Sequence, residues 1–249
     1  MIKFDILTLF PEQVMPMLTA SILGRGMARG HLSVEAHQIR DYTTNKQGQV
    51  DDYPYGGGMG MVMNADPLYR CLKHVAETRG PGRVILMSPA GERFNQDMAR
   101  QLSREPHIIL VCGRYEGVDQ RFIDECVDLE LSVGDFVLTG GEVAAAAVCD
   151  AVGRLIPGVL ADESSFENES HWNGLLEHPQ YTRPSVWMDR EVPDALTSGD
   201  HKRIEAWRRE QSLLLTLERR PDMLAAADLS EREKLFIETR NKKRPDTSE

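Results

Sequence analysis

The stretch Cys112–Glu142 decides the fold of this chain, because it places glycine-rich turns around one buried strand. It begins C-G-R-Y-E-G-V-D-Q-R at Cys112–Arg121 and closes V-G-D-F-V-L-T-G-G-E at Val133–Glu142. Each glycine turn follows or interrupts an apolar run with strand propensity. Glycine has no Cβ, so such loops let a ligand approach the main chain. The stretch predicts a small-molecule pocket at the ends of parallel strands.

Strands alternate with helices on both sides of this stretch. The predicted strands are Ile2–Leu9, His31–Ile39, Arg83–Met87, His107–Cys112 and Leu129–Thr139. The predicted helices are Glu12–Met27, Asp66–Thr78, Asn95–Arg104, Val118–Cys126 and Glu142–Leu155. This alternation predicts an α/β fold with a mostly parallel sheet.

The alternation stops at Pro157-Gly158. Two later helices are predicted, His201–Arg220 and Ser230–Asn241, with Ser230 as N-cap and Glu233 three residues on. We therefore expect an α/β domain over residues 1–160, a linker over 161–173 and a small all-helical domain over 174–249.

Charge is distributed unevenly along the chain. The net charge of −10 argues against an indiscriminate nucleic-acid binder. Residues 161–200 hold nine acidic and two basic side chains, whereas residues 201–244 hold twelve basic and eight acidic ones. This asymmetry permits a local phosphate-binding surface, although on charge alone a solvated helical face is the better explanation.

Composition narrows the protein class further. No apolar run approaches the roughly 18 residues of a membrane span, and the first residues enter a strand pattern without a signal peptide. The four cysteines lack C-x-x-C spacing, and the seven histidines lack metal-ligand spacing. We expect a cytoplasmic protein with reduced thiols, no membrane partner and no dedicated metal site.

Five motifs occur in a fixed order over nearly the whole chain: Val50–Met61, Met87–Gly91, Cys112–Asp119, Gly134–Glu142 and Tyr181–Pro184. Together they closely resemble the bacterial tRNA (guanine-N1)-methyltransferases. The resemblance implies a trefoil knot at the end of the N-terminal domain, S-adenosylmethionine as cofactor and an obligate homodimer with its active site between subunits. It also implies tRNA as partner, methylated at the guanosine on the 3′ side of the anticodon. Some members respond to magnesium, which leaves Mg²⁺ open as a second cofactor.

Three loops clasp the cofactor in that family. The corresponding residues here are Leu86, Met87, Ser88 and Pro89, then Gly113, Tyr115, Glu116 and Gly117, then Val133, Gly134, Asp135, Phe136, Val137, Leu138, Gly140 and Gly141. Main-chain groups at glycine turns can hydrogen-bond adenine and ribose, and the apolar members can wall the adenine. Considered singly, each feature has a plainer explanation: Gly140-Gly141 as a tight entry to a helix, and Tyr115 and Phe136 as core aromatics.

Methylation at guanine N1 needs a base for the N1 proton and a cation near O6. The family places an Asp-Ser-Phe triplet in the linker, and Glu169-Ser170-His171 aligns with it here. The resemblance makes Glu169 the general base, with Asp162, Glu163 and Glu167 as alternatives and His171 as an outside candidate.

Arg154 matches the family arginine that follows the helix after Gly140-Gly141, and it would stabilise charge at O6. An ion pair with Asp150, one helical turn earlier, explains the same residue without a catalytic role.

Four basic residues are the candidate RNA contacts: Lys202, Arg209, Arg219 and Arg220. On the helix from His201, Lys202 and Arg209 are predicted opposite an apolar stripe of Ile204, Trp207 and Leu215. The Asp41–Gly60 loop and the acidic linker are candidates for closing over the unstacked target base. A second hypothesis is a non-catalytic RNA-binding protein on the same scaffold, in which loss of the usual aspartate marks lost activity. Methylation of another RNA or position is a third.

Overall fold

A computed structural model describes residues 1–161, 166 and 169–241. The chain divides into two compact units, Met1–Glu163 and Ser164–Glu249. Much of the expected 161–173 linker lies outside the described residues, so the linker stays a prediction.

The described part of the first unit, residues 1–161, has seven strands and six α-helices. The strands are β1 (Ile2–Thr8), β2 (Leu32–Gln38), β3 (Asp51–Asp52), β4 (Val62–Met63), β5 (Arg83–Arg93), β6 (His107–Cys112) and β7 (Leu129–Ser132). The helices are α1 (Pro11–Thr19), α2 (Ser21–Ala28), α3 (Ala65–Arg79), α4 (Gln96–Leu102), α5 (Gln120–Cys126) and α6 (Glu142–Gly153), with a 3₁₀ turn at Ile39–Tyr42.

Five strands form one sheet in the order β2-β1-β6-β5-β7, and every pairing in it is parallel. The predicted α/β class with a parallel sheet is confirmed. Residues on alternate sides of β1 enter two separate cores: Phe4 and Ile6 pack on one face, and Leu7 packs on the other. Burial on both faces explains why these strands read as almost continuous apolar runs. The trefoil knot stays a prediction from the resemblance.

The predicted helix Glu12–Met27 is wrong in one respect, because it is two helices that meet at the extended residue Ala20. The chain folds back so closely there that a Cβ on Gly24 would lie 2.0 Å from the Thr19 carbonyl oxygen. Periodicity alone does not reveal such a break, since both helices keep their apolar faces on the sheet.

Two predicted strand ends also differ from the structure. β5 continues beyond Met87 to Arg93 through a register shift between Met87 and Glu92. A Cβ on Gly91 would lie 2.4 Å from the Glu130 carbonyl carbon, so glycine permits this second pairing. β7 ends at Ser132 rather than Thr139, because the Phe136 N–H turns back to the Gly134 carbonyl at 2.9 Å.

Among the described residues of the second unit, regular structure is helical apart from one short antiparallel ladder. Its elements are β8 (Val186–Trp187), β9 (Arg190–Glu191), α7 (Asp194–Thr197), α8 (His201–Arg219), α9 (Pro221–Ala226) and α10 (Glu231–Asn241). Leu175, Leu213 and Leu224 form its core. The predicted capping box is confirmed, because the Glu233 carboxylate accepts from the Ser230 N–H at 2.8 Å and Ser230 Oγ accepts from the Glu233 N–H at 3.4 Å.

Candidate active site

A cavity of about 470 Å³ lies where β6 and β7 end and where the neighbouring β5 shifts its register after Met87. Because these strands are parallel neighbours, their carboxyl ends lie at the same edge of the sheet, where ligands bind in open α/β folds. Three segments line the cavity: Leu86–Pro89 within β5 at its register shift, Gly113–Gly117 after β6, and most of 133–141 after β7.

Gly141 lies against the end of β6 and against Met87 of β5. Its N–H donates to the Gly113 carbonyl at 3.0 Å. A Cβ at this position would lie 2.7 Å from Cys112 Cα and 3.1 Å from Met87 Cβ. No side chain larger than hydrogen fits at this position without moving the main chain. Glycine here therefore allows the segment after β7 to pack directly against β5 and β6.

The Gly113–Gly117 loop is braced from outside by β4. The Glu116 N–H donates to the Met61 carbonyl at 2.9 Å, and the Met63 N–H donates to the Gly117 carbonyl at 2.9 Å. Tyr115 has a φ of +59° and Gly117 a φ of +130°. The positive φ values produce a tight turn that presents main chain to the cavity.

The segment after β7 supplies an apolar edge. Ser132 Oγ donates to the Gly134 carbonyl at 3.0 Å and fixes the start of the turn. The next side chains are largely uncovered, with exposed fractions of 57% for Phe136, 82% for Val137 and 39% for Leu138. Such exposed apolar groups beside a cavity are suited to cover a flat heterocycle.

The structure brings together fifteen of the sixteen residues predicted to bind cofactor. The exception is Asp135, which is exposed and forms an ion pair with Arg93 instead. Sequence reasoning missed several lining residues: Ala90, Arg114, Val118, Gln120, Ile123, Glu130, Leu131, Ser132, Thr139 and Ala144. Arg114 stands inside a quoted motif and could have been included. The residues from β7 and α5 reach the cavity only because the folded chain places these elements beside it, and no local sequence pattern indicates that placement.

Arg114 joins the loop after β6 to the start of α6. Its guanidinium lies 3.0 Å from Glu142 Oε2 and 3.2 Å from Oε1, and it also donates to the Thr139 carbonyl at 3.3 Å. Thr8 Oγ1, at the end of β1, donates to Glu142 Oε1 at 2.6 Å. Glu142 Oε2 has no well-aligned hydrogen bond, so the nearby Arg114 charge is its main compensation.

Cys112 is fully buried behind the lining residue Gly141 and is not a nucleophile candidate. Burial raises the pKa of its thiol well above the ordinary value, and the neighbouring Glu142 carboxylate raises it further. The thiol is therefore neutral near pH 7 and contributes packing.

The two predicted catalytic residues belong to different units. Arg154 directly follows α6; its N–H donates to the Asp150 carbonyl at 3.0 Å, and its side chain is half-buried. Glu169 is half-buried in a turn whose backbone bonds join Phe166, Glu169 and Trp172. It lines a second cavity of about 290 Å³, within the second unit, together with Arg208 and Arg209.

Of the four alternative candidates for the base, only His171 lies among the described residues. Asp162, Glu163 and Glu167 lie outside the described residues. His171 has a φ of +73°, and its N–H donates to the Leu175 carbonyl at 2.9 Å. This bond fixes the main chain of the turn that carries Glu169.

The predicted RNA contacts separate into two kinds. Arg209 donates to Glu233 at 2.6 Å, and Arg220 donates to Asp222 at 2.6 Å, so both guanidinium groups have carboxylate partners. Lys202 and Arg219 are exposed on α8.

The apolar face of α8 also differs from the prediction. Leu213 and Thr216 are its buried positions, whereas Ile204, Trp207 and Leu215 are only half-buried. Trp207 instead forms edge contacts with His178 and Tyr181, each with ring centroids 6.1 Å apart. Thr216 is buried because its Oγ1 accepts from the Leu176 N–H at 2.9 Å.

One group of three metal-capable side chains occurs among the described residues: Asp5, Glu35 and His37. Arg79 already donates to both of the carboxylates in this group. A bound cation would have to displace that guanidinium, so the group acts as an ion-pair network that runs from the buried Asp5 to the exposed Glu35. In the part of the chain that the structure describes, no helix has the length and apolarity to cross a membrane.

Comparison with known proteins gives a consistent result. The family model described as tRNA (Guanine-1)-methyltransferase TrmD matches residues 2–226. A tRNA (guanine-N(1)-)-methyltransferase from Clostridium perfringens is 53% identical over 92% of this chain and 95% of its own length. Proteins of the same name from Alkaliphilus oremlandii and Clostridium botulinum are 50% and 47% identical, covering 94% and 97% of this chain and 96% and 99% of their own lengths.

Proposed function

This chain belongs to the tRNA (guanine-1)-methyltransferase family, and on that premise we propose that it transfers a methyl group from S-adenosylmethionine to N1 of a tRNA guanosine. The target is the guanosine on the 3′ side of the anticodon. One observation carries the proposal: three segments, two of them containing glycine, enclose a single cavity beside the adjacent parallel strands β5, β6 and β7.

The cavity fits the cofactor in shape and chemistry. Gly113 and Gly117 leave room for close approach, since a Cβ on Gly113 would meet only ordinary contacts and one on Gly117 nothing within 4 Å. Leu86, Val133 and Leu138 would hold the adenine, and main-chain groups of the three segments would bind its polar edge and the ribose. The sulfonium supplies a methyl group that is already activated for transfer.

Two side chains of this chain would handle the proton and the developing charge. Glu169 would accept the N1 proton, and Arg154 would stabilise negative charge at O6. A carboxylate and an arginine suit these tasks because one removes a proton and the other remains cationic throughout. The family resemblance assigns the site to a homodimer, in which these two residues approach a cofactor held by the partner subunit.

Binding of RNA would draw on the second unit. Lys202 and Arg219 are exposed and available to phosphates, whereas Arg209 and Arg220 would first have to leave Glu233 and Asp222. The basic charge of residues 201–244 supports this assignment. Magnesium stays a candidate second cofactor.

The test combines calorimetry with mapping of the product. S-adenosylmethionine should bind the protein, and a guanosine-containing tRNA transcript should gain one methyl group at N1 of that guanosine. A transcript with adenosine at that position should gain none, and repeating the assay with a chelator tests magnesium. Cofactor binding without methylation of any transcript would favour a different RNA substrate. Absence of both would favour the non-catalytic RNA-binding protein.

A further inference from the structure

Three charged side chains line the cofactor cavity among the described residues: Arg114, Glu116 and Glu130. The Arg114 guanidinium is already balanced by Glu142, whose Oε2 lies 3.0 Å from Nη2. The other two side chains are carboxylates, so the described lining has an excess of negative charge. A cleft lined by one sign of charge favours a ligand of the opposite sign.

The two carboxylates occupy different places in the cavity. Glu116 belongs to the loop after β6 and lies against a neighbouring segment, since a Cβ on Gly60 would be 2.5 Å from Glu116 Oε1. Glu130 belongs to β7, and the parallel register pairs it with Leu86 of β5. A residue on a strand is held more precisely than one on a loop. Glu130 is therefore the fixed negative group of the cavity wall.

The neighbours of Glu130 in this wall are apolar. Residues paired in adjacent parallel strands have their side chains on the same face of the sheet, so Glu130 lies beside Leu86. Leu86 packs in one apolar cluster with Val118 and Ile123, and all three line the cavity. Glu130 is itself half-buried. Because these groups partly exclude water, a charge at Glu130 acts more strongly on a bound ligand than an exposed charge would.

The Glu130 carboxylate has no hydrogen-bond or ion-pair partner among the residues that the structure describes. Gln120, another polar residue of the lining, donates to Asp124 at 2.8 Å instead. Ser132, on the same strand, donates to the Gly134 carbonyl. A half-buried carboxylate that lacks a partner within the protein is available to a cation in the cavity.

The proposed reaction removes a positive charge from the cofactor. In S-adenosylmethionine the sulfonium and the ammonium outnumber the single carboxylate, so the cofactor is a cation. Transfer breaks the bond between sulfur and the methyl carbon and leaves its electron pair on sulfur, while the methyl carbon bonds to guanine N1 and the N1 proton passes to the base. The product, S-adenosylhomocysteine, has a neutral thioether and no net charge. The two ligands differ only in the methyl group and this charge.

We propose that Glu130 makes the cavity select the cationic cofactor over its neutral product. The inference rests on the proposed function and adds a specificity-determining residue to it. The carboxylate attracts the sulfonium form, and the attraction is lost once methyl transfer has removed the charge, which favours exchange of product for fresh cofactor. Contact with the sulfonium is not required, because opposite charges attract one another over several ångströms where water is partly excluded.

Calorimetry on the full-length protein compares the two ligands. In Glu130→Gln the dissociation constant for S-adenosylmethionine should rise about five- to tenfold, and that for S-adenosylhomocysteine should change less than about twofold. Sinefungin, an analogue with an ammonium group in place of the sulfonium, should follow S-adenosylmethionine. Glu130→Asp should keep most of the selectivity, since it keeps the charge. Glu92→Gln is the matched control, because it removes an exposed carboxylate of β5 outside the cavity lining.

The ratio of the two dissociation constants is the decisive readout. It does not depend on the fraction of folded protein, so partial unfolding of a variant does not hide the result. Equal weakening of both ligands in Glu130→Gln would assign the residue to the adenosine part that they share and would overturn the selectivity, as would unchanged affinities. A wild type that binds neither ligand would refute the proposed function. A wild type that binds both equally, with Glu130→Gln unchanged, would refute only the role of Glu130.

Discussion

Arg114 and Glu142 form a nearly buried ion pair, with Arg114 Nη2 3.0 Å from Glu142 Oε2 and only 16% and 3% of the two side chains exposed. The pair connects the loop after β6 to the first residue of α6. Gln13 of α1 adds a bond to the same guanidinium at 2.8 Å, and the Phe10 ring lies 4.4 Å from Arg114 Cζ. The guanidinium therefore holds two cavity-lining segments in register.

Loss of this pair should affect both stability and cofactor binding. Arg114→Ala leaves the Glu142 charge buried without its cation, and we expect a loss of about 3 kcal/mol in the free energy of unfolding. The double variant Arg114→Ala/Glu142→Gln should recover part of it, because the uncompensated charge is gone. Urea unfolding and calorimetry with S-adenosylmethionine measure the two effects.

Arg70→Ala, which breaks an exposed pair with Asp66, is the control and should change neither the stability nor the cofactor affinity. Equal stability of all these variants would contradict the bracing role.

Two glycines of the cavity should respond differently to alanine. At Gly141 the added Cβ meets Cys112 Cα at 2.7 Å, so we expect a loss of stability of about 1–3 kcal/mol and loss of cofactor binding. At Gly113 the closest approach is 3.6 Å, so Gly113→Ala should fold normally. Any loss of cofactor affinity in Gly113→Ala then reports filling of the cavity. Thermal unfolding and calorimetry separate these cases, and a stable, cofactor-binding Gly141→Ala would refute the close approach.

The main strands and helices were predictable because their local sequence patterns match the positions that they occupy in the fold. The parallel strands are apolar on both faces, and Ser230 with Glu233 has the spacing of a capping box. The end of β7 at Ser132 was not predictable, since Phe136, Val137 and Leu138 continue a strand-like sequence while they leave the sheet for the cavity edge. An exposed apolar run at a binding site resembles a buried strand in sequence.

The candidate site was predictable in its main-chain part and less so in its side chains. Glycine turns indicated the segments between Cys112 and Glu142, and the family resemblance added Leu86–Pro89, which has no glycine. The partners of Arg114 come from α1, the segment after β7 and α6, more than a hundred residues apart in the case of Gln13. Likewise, the Arg209 partner Glu233 lies on another helix, and charge counting gives no indication of that pairing.

Acid should destabilise the first unit through Asp5. This buried carboxylate accepts from His107 at 2.7 Å, Arg79 at 2.7 Å and His37 at 2.5 Å. Burial alone would raise the pKa of Asp5, but these bonds outweigh it and hold the pKa below its ordinary value of 3.8. The stabilisation is therefore fully present above about pH 4 and disappears as pH falls through the depressed folded-state value.

The experiment compares wild type with Asp5→Asn by urea unfolding between pH 7 and pH 2.5. Wild type should be more stable at pH 7, and its advantage should shrink in the acid range. Asp97→Asn removes an exposed carboxylate of the same unit and should leave the wild-type profile nearly unchanged. Parallel profiles for wild type and Asp5→Asn would contradict the assignment.

Glu169 should control the chemical step and leave the binding steps unchanged. With Glu169→Gln, single-turnover methylation should fall by about two orders of magnitude or more, because the amide cannot accept the N1 proton. Glu169→Asp should retain substantial activity, since it restores a carboxylate. The control is Glu205→Gln, which removes another carboxylate from the same second-unit cavity. Full single-turnover activity in Glu169→Gln would reject this residue as the base.

The basic residues of α8 should separate into RNA-binding and structural groups. Lys202→Ala and Arg219→Ala should each lower the slope of log affinity for tRNA against log salt by about 0.7–0.9, because each removes one phosphate contact. Arg209→Ala should instead lower the stability of the second unit, since Arg209 joins α8 to Glu233 beside the capping box of α10. The same bond lowers the pKa of Glu233. Burial alone would raise this pKa, but the hydrogen bonds from Arg209 and Ser230 outweigh burial and lower the pKa to about 2. Filter binding across a salt series, paired with thermal unfolding, distinguishes the groups.

Glu233→Gln provides the decisive comparison, because a tighter tRNA complex in that variant would show that Arg209 binds phosphate once it is released.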